Sequence, residues 1–284
     1  MNTKATIITT YYEGKQYLVN LFHMVYQNSE NLKSLGYSVE FVIVNDSPWE
    51  KIEIPSQYSD MEVVVSYNPQ NLGIHKSRVN GINLAHGDYI LLLDQDDSIT
   101  DDYLKEQLNA IESADISVCN GYKELEQKKK IIYRDRIKFS LVKNPEIYLK
   151  AANQIVSPGQ CLIKKSSIPT EWLNYTLQVN GSDDLFLWLL CLAQNKSIVL
   201  NEKKLYTHNQ VGSNLSNDLR KMCLSDIEMC EISKSNHLLP ESYLKKRLRL
   251  CGFIEMTHYT QKPSFKSLLK YSDIVILKLF AYFV

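Results

Sequence analysis

The chain is expected to be α/β, with a mostly parallel central sheet flanked by helices and a helical appendage at the C-terminal end. Three observations predict this. Short apolar runs alternate with helically spaced segments over the first 120 residues. Polar residues close each of those runs, as at the carboxyl edge of a parallel sheet. Beyond about residue 216 the short runs stop and only helical spacing continues.

Residues 5–10 (ATIITT) form a compact β-branched run, a first strand. Residues 11–14 (YYEG) are a turn. Leu18, Leu21, Phe22, Val25, Leu32 and Leu35 then recur at helical spacing, and Gly36 closes that helix. Residues 39–44 (VEFVIV) are a second strand ending in Asn45 and Asp46. Pro48 and Pro55 break the stretch that follows, before a third strand at 61–66. Val79, Ile82 and Ala85 mark one face of a short helix from 74 to 86, closed by Gly87.

Residues 89–93 (YILLL) are a continuous apolar run, the pattern of a fully buried strand. Three carboxylates in four positions follow: Asp94, Asp96 and Asp97. A helix from 100 to 113 and a fifth strand at 116–122 come next. The charge-rich stretch 124–138, with Lys128, Lys129 and Lys130 at its centre, is read as a solvated hairpin or loop. Residues 141–152 look helical, 157–160 (SPGQ) turn, and 161–164 form a strand. Asp183 and Asp184 open a strongly apolar helix over 185–193. Short strands are expected at 198–200 and 204–208, and amphipathic helices at 218–234 and 240–259.

Composition narrows the function classes. Of 284 residues, 44% are hydrophobic and 23% charged, an ordinary globular balance. Lys+Arg and Asp+Glu both number 32, so the basic excess needed to bind nucleic acid is missing. The six cysteines show no CxxC pair and no zinc spacing, so they read as reduced core thiols of a cytosolic protein. The chain opens directly on a strand, without the pattern of a signal peptide. No run of apolar residues is long enough to span a bilayer.

The acidic cluster is the chemical focus. Clustered like charges raise one another's pKa, and a bound cation relieves the repulsion. Two carboxylates together with nucleotide phosphates are a usual site for Mg²⁺ or Mn²⁺. The plainer alternative is a polar loop capping the next helix through Ser98 or Asp101.

At this point the sequence resembles the family 2 glycosyltransferases of the GT-A fold. The likeness rests on Thr6-Ile7-Ile8 with Tyr11, on Val42 to Ser47, and on Asn71-x-Gly73-x-x-x-Ser77-Arg78-Val79-x-Gly81. It rests further on Gly87-Asp88-Tyr89-Ile90-x-x-Leu93-Asp94-Gln95-Asp96-Asp97, on Asp183-Asp184 with Trp188, and on Tyr206-x-His208. Tyr12, Pro48, Val79, Asp183 and Leu190 depart from the family pattern. The resemblance covers roughly residues 3–215 and implies a catalytic domain over 1–215. Residues 216–284 would then be a helical region for membrane-surface or oligomer contact.

The resemblance implies inverting transfer from a nucleotide-sugar, commonly UDP-linked, to a hydroxyl of a glycan or lipid-linked acceptor in bacterial surface-polysaccharide synthesis. It implies nucleotide contacts from Thr10, Tyr11, Asp46, Asn71, Gly73, Arg78, Asp94 and Gln95. Asp96, Asp94 and His208 would hold Mn²⁺ or Mg²⁺, and Asp184, with Asp183 beside it, would be the general base. Taken singly, Asp46 also reads as a turn former, Asp183 as a helix cap and His208 as a structural histidine. Basic residues alternate with apolar ones from Lys245 to Val284, and the apolar stretch 274–284 is too short to span a bilayer. Residues 265–284 are expected to lie on the inner membrane face, with Lys266, Lys270 and Lys278 toward anionic headgroups; the alternative is a C-terminal helix docked on the catalytic domain or in a dimer interface. The rivals are a nucleotidyltransferase, which lacks support because 9–14 is not a glycine-rich phosphate loop, and a non-catalytic protein on the same fold.

Overall fold

β1 (Lys4–Tyr11) is a central strand, and its composition follows from that. It pairs in parallel with β2 (Ser38–Asn45) on one side and with β4 (Tyr89–Leu92) on the other. Ala5, Ile7 and Tyr11 pack with Leu21, Phe22 and Val25 of α1 (Leu18–Lys33), which runs between β1 and β2. The opposite face meets α2 (Ile74–Leu84) so closely that a Cβ at Gly81 would strike Ile8. A strand covered on both faces needs apolar side chains at successive positions, which is why these runs are continuous rather than alternating. β3 (Glu62–Tyr67) completes the parallel half beside β2.

The computed structural model describes residues 3–33, 35–210, 218–259 and 269–283. Its sheet runs β3-β2-β1-β4-β8-β6-β9-β5. Here β5 is Ser98–Ile99, β6 is Ile116–Leu125, β8 is Cys161–Lys164 and β9 is Ile198–Asn209. β8 runs antiparallel to both β4 and β6, while β6 and β9 are parallel. The first four strands are thus parallel as expected, and the rest mix directions. α3 (Tyr103–Ile111) crosses from β5 to β6.

One local reading is decided between its alternatives and two change. The charged stretch after β6 is a hairpin with β7 (Lys128–Ile131), turned at Glu126 and Gln127, both with positive φ. The helix expected over 141–152 is broken. Asn144 caps a new start at Pro145, so α4 (Arg136–Ser140) is separated from α5 (Pro145–Lys150). The two short strands expected near 200 are one strand, β9, whose register against β6 shifts at Asn120.

The chain forms two compact units. The first comprises Met1–Ile132, Val156–Ile168 and Lys196–Val211; the second comprises Tyr133–Ile155, Pro169–Asn195 and Gly212–Val284. The second is therefore larger than a C-terminal appendage. The boundary expected at residue 215 lies outside the described residues.

Besides α4 and α5, the second unit is built from α6 (Thr170–Asn174), α7 (Asp183–Ala193), α8 (Leu219–Ser235), α9 (Glu241–His258) and α10 (Ser272–Phe283). α7 is buried along most of its length, and Trp188 is one of its core residues. Asp218 caps α8 by accepting hydrogen bonds from the backbone N–H groups of Arg220 and Lys221. α10 packs through Ala281 and Leu277 on Leu141, Ile147 and Ala151, and through Ile274 on Leu250 and Phe253.

Candidate active site

The parallel half of the sheet delivers its polar residues to one edge. β2 ends at Asn45, and the buried Asp46 follows. One Asp46 carboxylate oxygen accepts hydrogen bonds from Asn68 Nδ2 at 2.8 Å and from the Leu72 N–H at 2.7 Å. The other accepts from the Gly73 N–H at 3.0 Å. Asn71 Oδ1 also accepts from the Gly73 N–H at 3.0 Å. Gly73 sits at φ +84°, a backbone region that favours glycine, and α2 starts directly after it. Asp46 therefore moors the loop that launches α2. The turn-former reading of Asp46 describes its bonds, and the base contact implied by the resemblance remains to be added to them.

α2 in turn carries Arg78 to the acidic corner. Arg78 is buried and pairs with one oxygen of Asp94, whose other oxygen accepts from Ser157 Oγ at 3.0 Å. Both Asp94 oxygens are thus engaged within the protein. Gln95 turns back to the end of β1. Its amide accepts from the Tyr12 N–H at 3.0 Å and donates to the Tyr12 carbonyl at 2.9 Å. Thr10 is half-buried on β1, and the buried Tyr11 donates its hydroxyl proton to Glu50. Burial first, and then Glu50, push the Tyr11 pKa up, so it stays a neutral phenol.

Asp96 and Asp97 have different roles. The Asp97 side chain is fully enclosed. It accepts from the Tyr206 hydroxyl, from the Asn209 N–H at 3.0 Å, and faces His208 Nδ1 at 3.0 Å. With Nδ1 held by a carboxylate, the His208 ring is fixed and its Nε2 is the nitrogen left for a ligand. Burial alone would lower the His208 pKa; Asp97, with Asp94 behind it, outweighs burial and raises it. Asp96 takes part in no side-chain hydrogen bond or ion pair with another side chain among the described residues. Burial, reinforced by Asp97 and Asp94, pushes its carboxyl up to about 6.

The sequence places Asp97 in the acidic cluster without a role. The structure makes it the residue that positions His208. Its adjacency to Asp96 could not reveal this, because the partner lies 111 positions away on β9.

Among the described residues no three His, Cys, Asp or Glu side chains are arranged to hold a metal by themselves. A divalent cation bound with a diphosphate takes part of its oxygen shell from the phosphates, so a full protein cage is not required. Asp96, whose ionised form is penalised and which makes no ion pair among the described residues, fits that role. His208 Nε2 is a second donor of suitable type. Asp94 fits less well because Arg78 and Ser157 already occupy it.

In the second unit, Asp183 and Asp184 begin α7. Asp183 is buried, and its backbone carbonyl accepts from Trp172 Nε1 at 2.7 Å. Asp184 is less enclosed. Its carboxylate accepts from the Leu185 N–H at 2.6 Å and from Asn153 Nδ2 at 2.8 Å. The two acids thus divide: Asp183 is built into the core, and Asp184 keeps a side chain at the helix start.

The model of glycosyl transferase family 2 matches residues 6–169. The chain belongs to that family. An uncharacterised glycosyltransferase of Methanocaldococcus jannaschii is 25% identical to this family 2 chain over 196 residues, 67% of this chain and 65% of that protein. The glycosyltransferase GlyA of Streptococcus pneumoniae is 32% identical over 127 residues, 43% of this chain and 17% of GlyA. The chain therefore matches less than two thirds of the length of either relative. Among solved structures, TarS of S. aureus in complex with UDP-GlcNAc superposes with a TM-score of 0.66 at 14% identity. The mannosyltransferase PcManGT of Pyrobaculum calidifontis, in complex with GDP-Man and Mn²⁺, does so at 0.60 and 12%. Both comparisons cover 98% of this chain and 81% of the other, and they show the GT-A fold.

Proposed function

We propose that this family 2 glycosyltransferase moves one sugar at a time, with inversion, from a nucleotide-sugar to a hydroxyl of a glycan or lipid-linked acceptor. The donor is proposed to be UDP-linked and the setting the synthesis of a surface polysaccharide at the inner face of the cell membrane. One observation carries the reading: Asp96 and an Asp97-oriented His208 meet in a corner braced by Arg78–Asp94, at the carboxyl edge of the parallel strands, where such sheets bind ligands.

In the proposed reaction the acceptor oxygen bonds to the anomeric carbon as the carbon–oxygen bond to the diphosphate breaks. The acceptor proton passes to a carboxylate, for which Asp184 is proposed. Direct displacement needs this single base and no covalent nucleophile. Asp96 and His208 would hold Mn²⁺ or Mg²⁺, which when bound offsets the charge growing on the leaving diphosphate. Asp46, Asn71, Gly73, Gln95, Thr10 and Tyr11 are proposed to shape the nucleotide edge. The Arg78 guanidinium, with Asp94 holding it, is proposed to add positive charge beside the phosphates. The UDP-GlcNAc and GDP-Man bound to the two structural neighbours define the first donors to try.

The test is nucleoside diphosphate release from UDP-, GDP- and TDP-sugars with Mn²⁺. Turnover of one donor, abolished in Asp96→Ala, is the expected result. Asp184→Asn should keep donor affinity within about threefold while transfer to an acceptor falls by a factor of about 10²–10⁴. Failure to bind or turn over any nucleotide-sugar in the presence of metal would favour the non-catalytic reading of the fold.

A further inference from the structure

α10 has two apolar faces, and only one of them is used. The inner face, Ile274, Leu277 and Ala281, seats on α5, on α9 and on the turn after α4. The outer face carries Ile276, Leu279, Phe280 and Phe283, spaced i, i+3, i+4 and i+7, so they form one continuous stripe. All four are exposed, Ile276 at 66% and Phe283 at 68%, and Tyr282 beside them reaches 77%. Single exposed apolar side chains need no explanation, whereas a contiguous stripe of large ones marks an interaction surface.

The charges around the stripe indicate what covers it. From Ile274 to Phe283 the sole charged residue is Lys278, and it points inward, with its ammonium 5.4 Å from the Phe253 ring centre. This corrects the expectation that Lys278 faces headgroups; of the other two lysines in that expectation, Lys266 lies outside the described residues. The two ends carry cations in excess instead: Lys270, Arg249 and Lys150 against Asp273 at the start, and Arg134 and Lys138 against Asp135 at the finish. Lys270 is exposed at the start, its ammonium over the Tyr271 ring at 5.4 Å. Arg134 and Lys138 donate to the carbonyls of Phe283 and Ala281 at the finish.

An uncharged stripe with cations at both ends and an amphipathic tyrosine at its border matches an anionic bilayer surface. The apolar side chains would enter the acyl boundary and the cations would meet the headgroups. A second copy matches poorly. Stripe against stripe, parallel or antiparallel, sets one cation-rich end against another, and the acids at those ends, Asp273 and Asp135, are already paired with Arg249 and Arg134 of their own chain. We propose that the outer stripe of α10 seats this protein on an anionic membrane. The inference does not draw on the transfer chemistry and stands or falls separately from it.

The test is flotation of the full chain with vesicles of equal parts phosphatidylglycerol and phosphatidylcholine, beside vesicles of phosphatidylcholine alone. Binding to the anionic vesicles and much weaker binding to the neutral ones is expected. Phe280→Glu and Ile276→Gln should each weaken binding by about tenfold or more, because they remove apolar area that the acyl boundary would cover. Phe280→Leu should retain it. Unchanged circular dichroism and melting temperature would show that the variants fold; Ile276→Gln serves if Phe280→Glu does not. No binding to anionic vesicles, or binding indifferent to these changes, overturns the proposal. So does a concentration-dependent dimer in sedimentation that Phe280→Glu dissolves, which would assign the stripe to a second copy.

Discussion

Asp94, Asp96 and Asp97 fall within four consecutive positions, yet each has a separate environment. Asp94 is neutralised by Arg78, Asp97 is wrapped by Tyr206, His208 and Asn209, and Asp96 is left to pay for burial among like charges. The clustering was legible because the chemistry of repulsion depends only on proximity along the chain. The division of roles was not, since every partner except Asp96's acidic neighbours comes from another element. The raised Asp96 pKa has a sign that can be checked. Its folded value is about 6 against 3.8 ordinarily, so metal-free stability is greatest with the proton on and declines as pH rises through 6. A cation at Asp96 removes that penalty. Mn²⁺ should therefore raise the melting temperature more at pH 7.5 than at pH 5, and Asp96→Asn should abolish the difference. Equal increments at the two pH values would place the cation elsewhere.

Asp115 shows the opposite sign. Burial works to raise its pKa, but hydrogen bonds from Ser167 at 2.6 Å and from the Ser197 hydroxyl and N–H at 2.6 and 2.7 Å prevail, and hold it down to about 2. Its contribution is present above pH 3.8 and is lost as pH falls toward 2. Because the carboxylate is largely solvated, the effect is modest. Asp115→Asn should lower the melting temperature at pH 7 and narrow the gap to the native chain as pH approaches 2; a constant gap would show that the carboxylate's charge does not matter.

At the scale of elements, apolar periodicity located nearly every helix and strand of the first unit. It failed where a polar residue decides. Asn144 with Pro145 cuts a helix that Leu141, Ile147 and Leu149 would otherwise continue, and the two-residue strand β5 is invisible without its partner β9. The loop before α2 is a similar case. The sequence marks Gly73 and Asn71 as turn residues, but the mooring Asp46 lies 26 and 27 positions before the amides it holds, those of Leu72 and Gly73. Removing that carboxylate leaves the Leu72 N–H and one hydrogen of the buried Asn68 amide without their acceptor, while the Gly73 N–H keeps Asn71 Oδ1 and Asn68 keeps Ser77 Oγ. Asp46→Ala should cost about 2–4 kcal/mol in chemical denaturation, since each orphaned donor costs about 1–3 kcal/mol and solvent rescues part of it. Hydrogen exchange should quicken at 72–77 before the rest of the sheet. A uniform rise in exchange would show that Asp46 supports the whole fold and not this loop.

At the scale of the molecule, the two units are held together internally by different physics. The first has a sheet, whose hydrogen-bond ladder and doubly covered strands leave a strong periodic imprint in sequence. The second is an assembly of helices, and its layout depends on a buried polar centre that no periodicity announces. Arg247 and Asp226 pair at 2.6 Å, both nearly inaccessible. Asp226 also accepts from Ser182 Oγ at 2.7 Å, and Arg247 donates to the Tyr148 carbonyl at 2.7 Å. The pair thereby ties α8 and α9 to the start of α7 and to α5. Nothing in the sequence separates Arg247 from Lys245, Lys246 and Arg249 around it; those three are at least partly exposed and are paired with Glu241, Glu146 and Asp273. Coulomb attraction in such a pair roughly offsets its desolvation, so the pair itself adds little, but breaking it strands a charge. Arg247→Leu should therefore destabilise the chain by about 3–5 kcal/mol, and Asp226→Leu by a similar amount. The double variant should recover much of the loss, as a buried charge no longer lacks a partner. Urea denaturation of the three variants measures this directly. Additive losses in the double variant would mean that each residue is held by its other contacts, Ser182 and Tyr148, and that the helices of the second unit are organised by those hydrogen bonds instead of by the ion pair.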